Sequence, residues 1–147
     1  MINAIRQNDL RGPLMFLLLI ISASALGVGY FFMEDPSGSS VGFSVDYIRF
    51  SPFEDYFWPG WILFLSIGIY GLTCFLLTVF RYRYFPFHVR LQGMVLIGWI
   101  LIQVVMVRDF NLLHAICIVI GFILFIAGRT IARDYIRQPK HKKHRHA

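Results

Sequence analysis

Hydrophobic positions in this chain come in long unbroken blocks, neither alternating nor striped. Pro13 to Met33, Trp58 to Phe80, Leu91 to Val107 and Phe110 to Gly128 run for 21, 23, 17 and 19 residues without an acid, a lysine or an arginine, and His114 is their only histidine. A helix rises ~1.5 Å per residue, so a bilayer core of ~30 Å takes about 20 residues, with a range of ~17–25. A soluble core helix keeps a polar stripe on its outer face, whereas these blocks are apolar all round. The pattern predicts an all-α membrane protein, an antiparallel four-helix transmembrane bundle occupying 13–128. Its spans are 13–33, 58–80, 88–107 and 110–128. Residues 1–12 precede it, 34–57 form its one long link, and 129–147 form a tail.

Composition agrees. Charged types make up 15% of the 147 residues, against ~25% in ordinary soluble domains. That argues against a soluble globule, and the apolar excess argues against a disordered chain. A net charge of +6 raises nucleic acid or a membrane surface as partners, and its placement decides between them. Residues 1–12, the 81–90 link and the tail after Gly128 hold 12 of the 14 basic residues, with Asp9 and Asp134. Residues 34–57 and 108–109 hold Arg49 and Arg108 with six acids. Basic residues stay cytoplasmic, so both termini are expected inside, with +10 on the inner side and −4 on the outer. The expected partners are the bilayer, anionic lipid at the basic inner face, and a membrane-protein partner or a second copy. Nucleic acid is not expected, because no motif or aromatic–basic platform supports it.

A secretory-signal reading competes for the first block. Arg6 and Arg11, Leu14 to Ile21, and Ala23-Ser24-Ala25 match the basic, apolar and cleavage-site parts of such a signal. Cleavage would leave three spans. Apolar character continues to Met33, however, and the charge alternation calls for four crossings, so the block is read as a retained helix.

The 34–57 link carries the most local information. Glu34-Asp35-Pro36-Ser37-Gly38-Ser39-Ser40 is a dense turn cluster that ends the first helix. Ser51-Pro52-Phe53-Glu54 has the form of a capping box and predicts a short helix running into Trp58-Pro59-Gly60-Trp61. Phe50, Phe53, Tyr56, Phe57, Trp58 and Trp61 predict an interfacial aromatic belt and a short helical outer cap over the bundle mouth. Tyr82, Tyr84, Phe85 and Phe87 form the matching inner belt. Arg108-Asp109 is so short that the last two spans must form a hairpin.

Candidate chemistry is sparse. Cys74 and Cys117 lie within spans, outside any C-x-x-C pair, and read as apolar packers. One histidine within the apolar blocks does not suit bis-histidine haem, and no acid in Pro13–Met33 supplies a proton carrier. His141, His144 and His146 could hold a metal but read as part of a solvated basic tail. Neither metal nor cofactor is expected. Gln103 lies four residues after Trp99 and shares its face, where its amide reads as an interhelical bond. Ala25/Gly29 and Gly121/Ala127/Gly128 give small surfaces for close packing. Glu54, Asp55, Arg108, Asp109 and His114 collect near the outer mouth, where an acid–base pair could act on a substrate but where charges usually form a solvated rim. No catalytic residue is assigned. The candidate ligand or packing positions are Trp99, Gln103, His114, Glu54, Asp55 and Arg108.

Asp35-Pro36-Ser37-Gly38, Ser51-Pro52-Phe53-Glu54-Asp55-Tyr56, Pro59-Gly60-Trp61-Ile62-Leu63, and Trp99 with Gln103 resemble a known pattern. It is that of small, functionally uncharacterised bacterial four-span membrane proteins with an outer D-P-S-G … P-F-x-D-x-x-x-P-G-x-x-L link and a later W-I-x-x-Q. The resemblance covers about residues 13–128 and implies a multi-pass protein of the bacterial cytoplasmic membrane. It brings no catalytic residues. The main functional expectation is a non-enzymatic accessory or interaction protein of the envelope. The alternative is binding or transport of a small lipophilic molecule near Trp99 and Gln103. A holin-like pore and a membrane enzyme follow.

Overall fold

The computed structural model describes residues 2–137, with side chains of 8–136. Four long helices account for most of the described residues, with no strand among them. Helix α1 spans Ile2–Glu34 and α2 spans Phe57–Val79, with π winding over Phe64–Ile69. Helix α3 spans Phe85–Val107 and α4 spans Leu112–Arg137. Each has a stretch long and apolar enough to cross a membrane. The fold is the all-α four-helix bundle that the hydrophobic blocks predict. His141, His144 and His146 lie outside the described residues.

Specific groups set the helix ends. Helix α3 begins at Phe85, ahead of the expected 88, because Pro86 sits in the first turn, where its missing N–H costs nothing. Asn111 Oδ1 accepts the N–H groups of Leu113 at 3.1 Å and His114 at 3.3 Å, so α4 begins at Leu112 and not at 110. It runs beyond Gly128 because Ile131 is buried against the Leu14, Phe85 and Val89 cluster. Helix α2 ends in a Schellman arrangement: Tyr82 N–H donates to Leu77 O at 2.9 Å and Arg81, at φ 53°, donates to Thr78 O at 3.4 Å. Arg11 of α1 adds its guanidinium to the same end, donating to Thr78 O at 2.6 Å and Val79 O at 3.2 Å.

The capping box does not form. Residues 51–56 are not helical, and Ser51 Oγ accepts Phe53 N–H at 3.2 Å, the local turn that competes with a helical start. Asp55 takes over the cap, accepting Phe57 N–H at 2.9 Å. The link instead holds two single 3₁₀ turns, Ser39–Val41 and Val45–Ile48.

Two antiparallel hairpins build the bundle. In α1/α2, a Cβ on Gly60 would lie 2.7 Å from Phe32 Cβ and 3.0 Å from Gly29 O. In α3/α4, a Cβ on Gly93 would lie 2.5 Å from Gly121 O. Within each hairpin, then, backbone meets backbone through small residues, as membrane helices favour. Between the hairpins, side chains fill the seam. Three core clusters stack along the axis. Leu14, Leu18, Cys74, Phe85, Val89, Leu124 and Ile131 pack at the end that carries both termini. Ile21, Ala25, Ile67, Leu96, Trp99 and Ile100 pack in the middle, and Phe32 and Met106 of the helices pack with Ile48 and Tyr56 of the link.

Candidate functional site

Two places in the molecule carry more than packing. The first is the cap formed by the 34–57 link. The Asp35 carboxylate organises its start. Ser37 and Ser39 hydroxyls donate to it at 2.6 and 2.7 Å, and Ser40 N–H donates at 2.9 Å. These hydroxyls, Ser37 first and Ser39 next, then the Ser40 amide, hold Asp35 well below the usual carboxylate range. Gly38 follows at φ 77°, where a Cβ would also press on the Tyr56 ring at 2.9 Å, so both backbone and space require glycine. Tyr56 closes the structure. It stacks on Phe32 at 4.6 Å, donates its N–H to Pro36 O and donates its hydroxyl to Ser44 O, each at 2.9 Å. Burial raises its phenol above the ordinary value. From this frame Phe43, Tyr47 and Phe50 stand 46%, 52% and 50% exposed. The guanidinium carbons of Arg108 and Arg49 lie 4.0 and 4.7 Å from the Phe50 ring centre.

The second place is a polar seam between α2 and α3. His88, Gln92, Trp99 and Gln103 are spaced four, seven and four residues apart, which puts them within about 60° on one face of α3. Tyr70 Oη and His88 Nδ1 are 2.9 Å apart across the seam. Gln92 is wholly buried. Its Nε2 donates a long 3.5 Å bond to Ile67 O in the π-wound stretch, and its Oε1 has no partner among the described residues. Trp99 is 6% exposed and its Nε1 also lacks a partner among the described residues. Ser22 Oγ, bonded to Leu18 O at 2.6 Å, faces Gly71, and a Cβ on Gly71 would lie 3.2 Å from Gln92 Nε2.

The six residues singled out from sequence have separate surroundings, and among the described residues no hydrogen bond joins any two of them. Trp99 is in the middle core and Gln103 is half-buried further along the same face. His114 is buried at the start of α4, where its Nδ1 accepts Asn111 N–H at 3.3 Å and its ring stacks on Phe110. Asp55 caps α2, Glu54 is exposed and Arg108 covers Phe50. Among the described residues no group of three or more His, Cys, Asp or Glu is placed to hold a metal. Sequence reading missed Gln92, Tyr70, His88 and the Arg49–Phe50–Arg108 contact. The four-seven-four spacing on α3 was the available signal for the first.

No family model, curated protein or solved structure matches the chain.

Proposed function

We propose that this is a multi-pass protein of the bacterial cytoplasmic membrane, with both termini inside, that acts by interaction and not by catalysis. Its working surface is the outer cap, and its partner is another membrane protein whose outer face lies at the same depth. The shape of the cap carries this reading. A link that only joined two helices would not require the Asp35 network, a glycine fitted under Tyr56 and a stacked aromatic pair. It holds Phe43, Tyr47 and Phe50 outward from a fixed base, and rigid exposed aromatics are what interfaces concentrate. The sorted charge supports the orientation, and the likeness to small bacterial four-span proteins supports the location.

A photo-crosslinking amino acid at Tyr47, used in native membranes, tests it. One discrete protein adduct is expected, and Phe50→Ser should abolish it without lowering the thermal stability of the bundle. Adducts to lipid alone, or substrate turnover by the purified protein, would overturn it. Reagent access to a cysteine at Ser40 only from outside, and to one at Arg83 only from inside, tests the orientation.

A further inference from the structure

We propose that the seam between the hairpins is a binding site for a neutral lipophilic molecule bearing a hydroxyl donor and a carbonyl acceptor, held by Gln92 and Trp99. The proposal is independent of the role assigned to the cap.

Its first support is hydrogen-bond accounting. Gln92 Oε1 is a buried acceptor and Trp99 Nε1 a buried donor, both without partners among the described residues, and leaving a buried polar group orphaned costs its full desolvation. They sit two turns apart on one face of α3, so one extended molecule can serve both. Water answers only half the need. A buried water requires ~2–4 polar partners. Near Gln92 the Ile67 carbonyl and Ser22 hydroxyl could supply them, but Trp99 packs among Ile21, Ala25, Ile67, Leu96 and Ile100. An apolar body with a polar group at each station matches that lining.

The charge of the ligand follows from its surroundings. Among the described residues the buried polar and charged ones are Ser22, Thr78, Gln92 and His114, and His114 is occupied at the start of α4, away from Gln92. An ionic group beside Gln92 would find no counter-charge among these, and burying it unpaired is costly. A neutral glyceride or alcohol fits where a phospholipid headgroup does not. Access follows from the packing. Glycine contacts lock each hairpin internally, whereas the seam is closed by side chains, with the Tyr70–His88 bond and two long 3.5 Å bonds, Cys74 Sγ to His88 O and Gln92 Nε2 to Ile67 O, crossing it. The π-wound stretch lies alongside, and such stretches often mark functional sites.

The chain has three tryptophans, so Trp58→Phe with Trp61→Phe leaves Trp99 as the sole indole. This protein, reconstituted in phosphatidylcholine nanodiscs, is titrated with a monoacylglycerol brominated at mid-chain and with the corresponding methyl ester, which has no hydroxyl. Saturable quenching by the glyceride is expected. Gln92→Leu should raise the half-saturation concentration tenfold or more, and the methyl ester should behave on the parent protein as the glyceride does on that variant. Gln92→Met, which conserves volume more closely, repeats the test should Gln92→Leu fail to fold. Linear quenching that is equal for both probes and both proteins would mean partition into lipid only and would overturn the proposal. So would a saturable titration that Gln92→Leu or Gln92→Met leaves unchanged.

Discussion

Two glycines of α3 offer a matched test of how the second hairpin is held. Gly93 and Gly98 lie five residues apart on the same helix. A Cβ on Gly93 would stand 2.5 Å from Gly121 O, 2.8 Å from Phe125 N and 3.2 Å from Leu124 Cβ, whereas one on Gly98 would meet nothing within 4 Å. The first two obstacles on Gly93 are backbone and cannot rotate away. Restoring ordinary contact requires α3 and α4 to part by about 1 Å, and a gap of that size forfeits roughly a quarter to a half of each affected dispersion contact. Overpacking of this kind typically costs ~1–3 kcal/mol. Alanine also gains ~1 kcal/mol over glycine in a helix interior, but that gain is common to both sites. The difference between Gly93→Ala and Gly98→Ala therefore isolates the interhelical contact, at about 1–3 kcal/mol. Gly98→Ala alone is expected to be neutral or stabilising by up to ~1 kcal/mol. Unfolding in mixed micelles, followed by circular dichroism, reads both. A difference below about 0.5 kcal/mol, well under the overpacking range, or Gly98→Ala being the worse variant, would refute backbone-to-backbone packing of α3 on α4.

Two further outcomes test the other junctions. Asp35 has a depressed pKa when folded, so its contribution to the cap is present above its unfolded value of ~3.9 and is lost only as pH falls through the lower folded value. Hydrogen exchange at Ser40 and Tyr56 amides should stay slow from neutrality to below that value. Asp35→Asn should speed exchange at neutral pH and remove the acid dependence, and a parent cap that opens near pH ~5 would contradict this. Arg11→Gln should cost about 1–2 kcal/mol in the same micellar unfolding assay, because it takes a charged donor from the last carbonyls of α2, and an unchanged midpoint would count against that cap.

The fold was legible because its signal is one-dimensional. Long apolar blocks favour helices, which satisfy every backbone group in lipid, and a connection as short as the one between Val107 and Leu112 leaves little choice of neighbour. Helix ends were less legible because each turns on a competition among hydrogen bonds. Ser51-Pro52-Phe53-Glu54 satisfies the capping-box formula, but Ser51 Oγ takes the nearer Phe53 N–H and Asp55 then reaches Phe57 N–H. Three residues with the right chemistry lay within one turn, and the formula does not rank them.

The seam was hidden for a different reason. Hydropathy weighs a glutamine by how far it departs from its window, and on that scale Gln92 and Gln103 are equal. What separates them is the opposite helix. Gln92 faces the Ile67 carbonyl, Gly71 and Ser22, whereas Gln103 is half-buried nearer the cap. Residues 67–71 are unremarkable in sequence, and their importance comes from π winding that places Ile67 O opposite Gln92. A polar side chain in lipid is constrained less by its own position than by what it can reach, because the bilayer offers no alternative partner. Functional reading of such a chain therefore has to begin from unpaired buried groups. Among the described residues there are three, Arg11 Nε and, on α3, an amide oxygen and an indole N–H two turns apart on one face. The two on α3 are complementary in sign, so one ligand with a donor and an acceptor satisfies both.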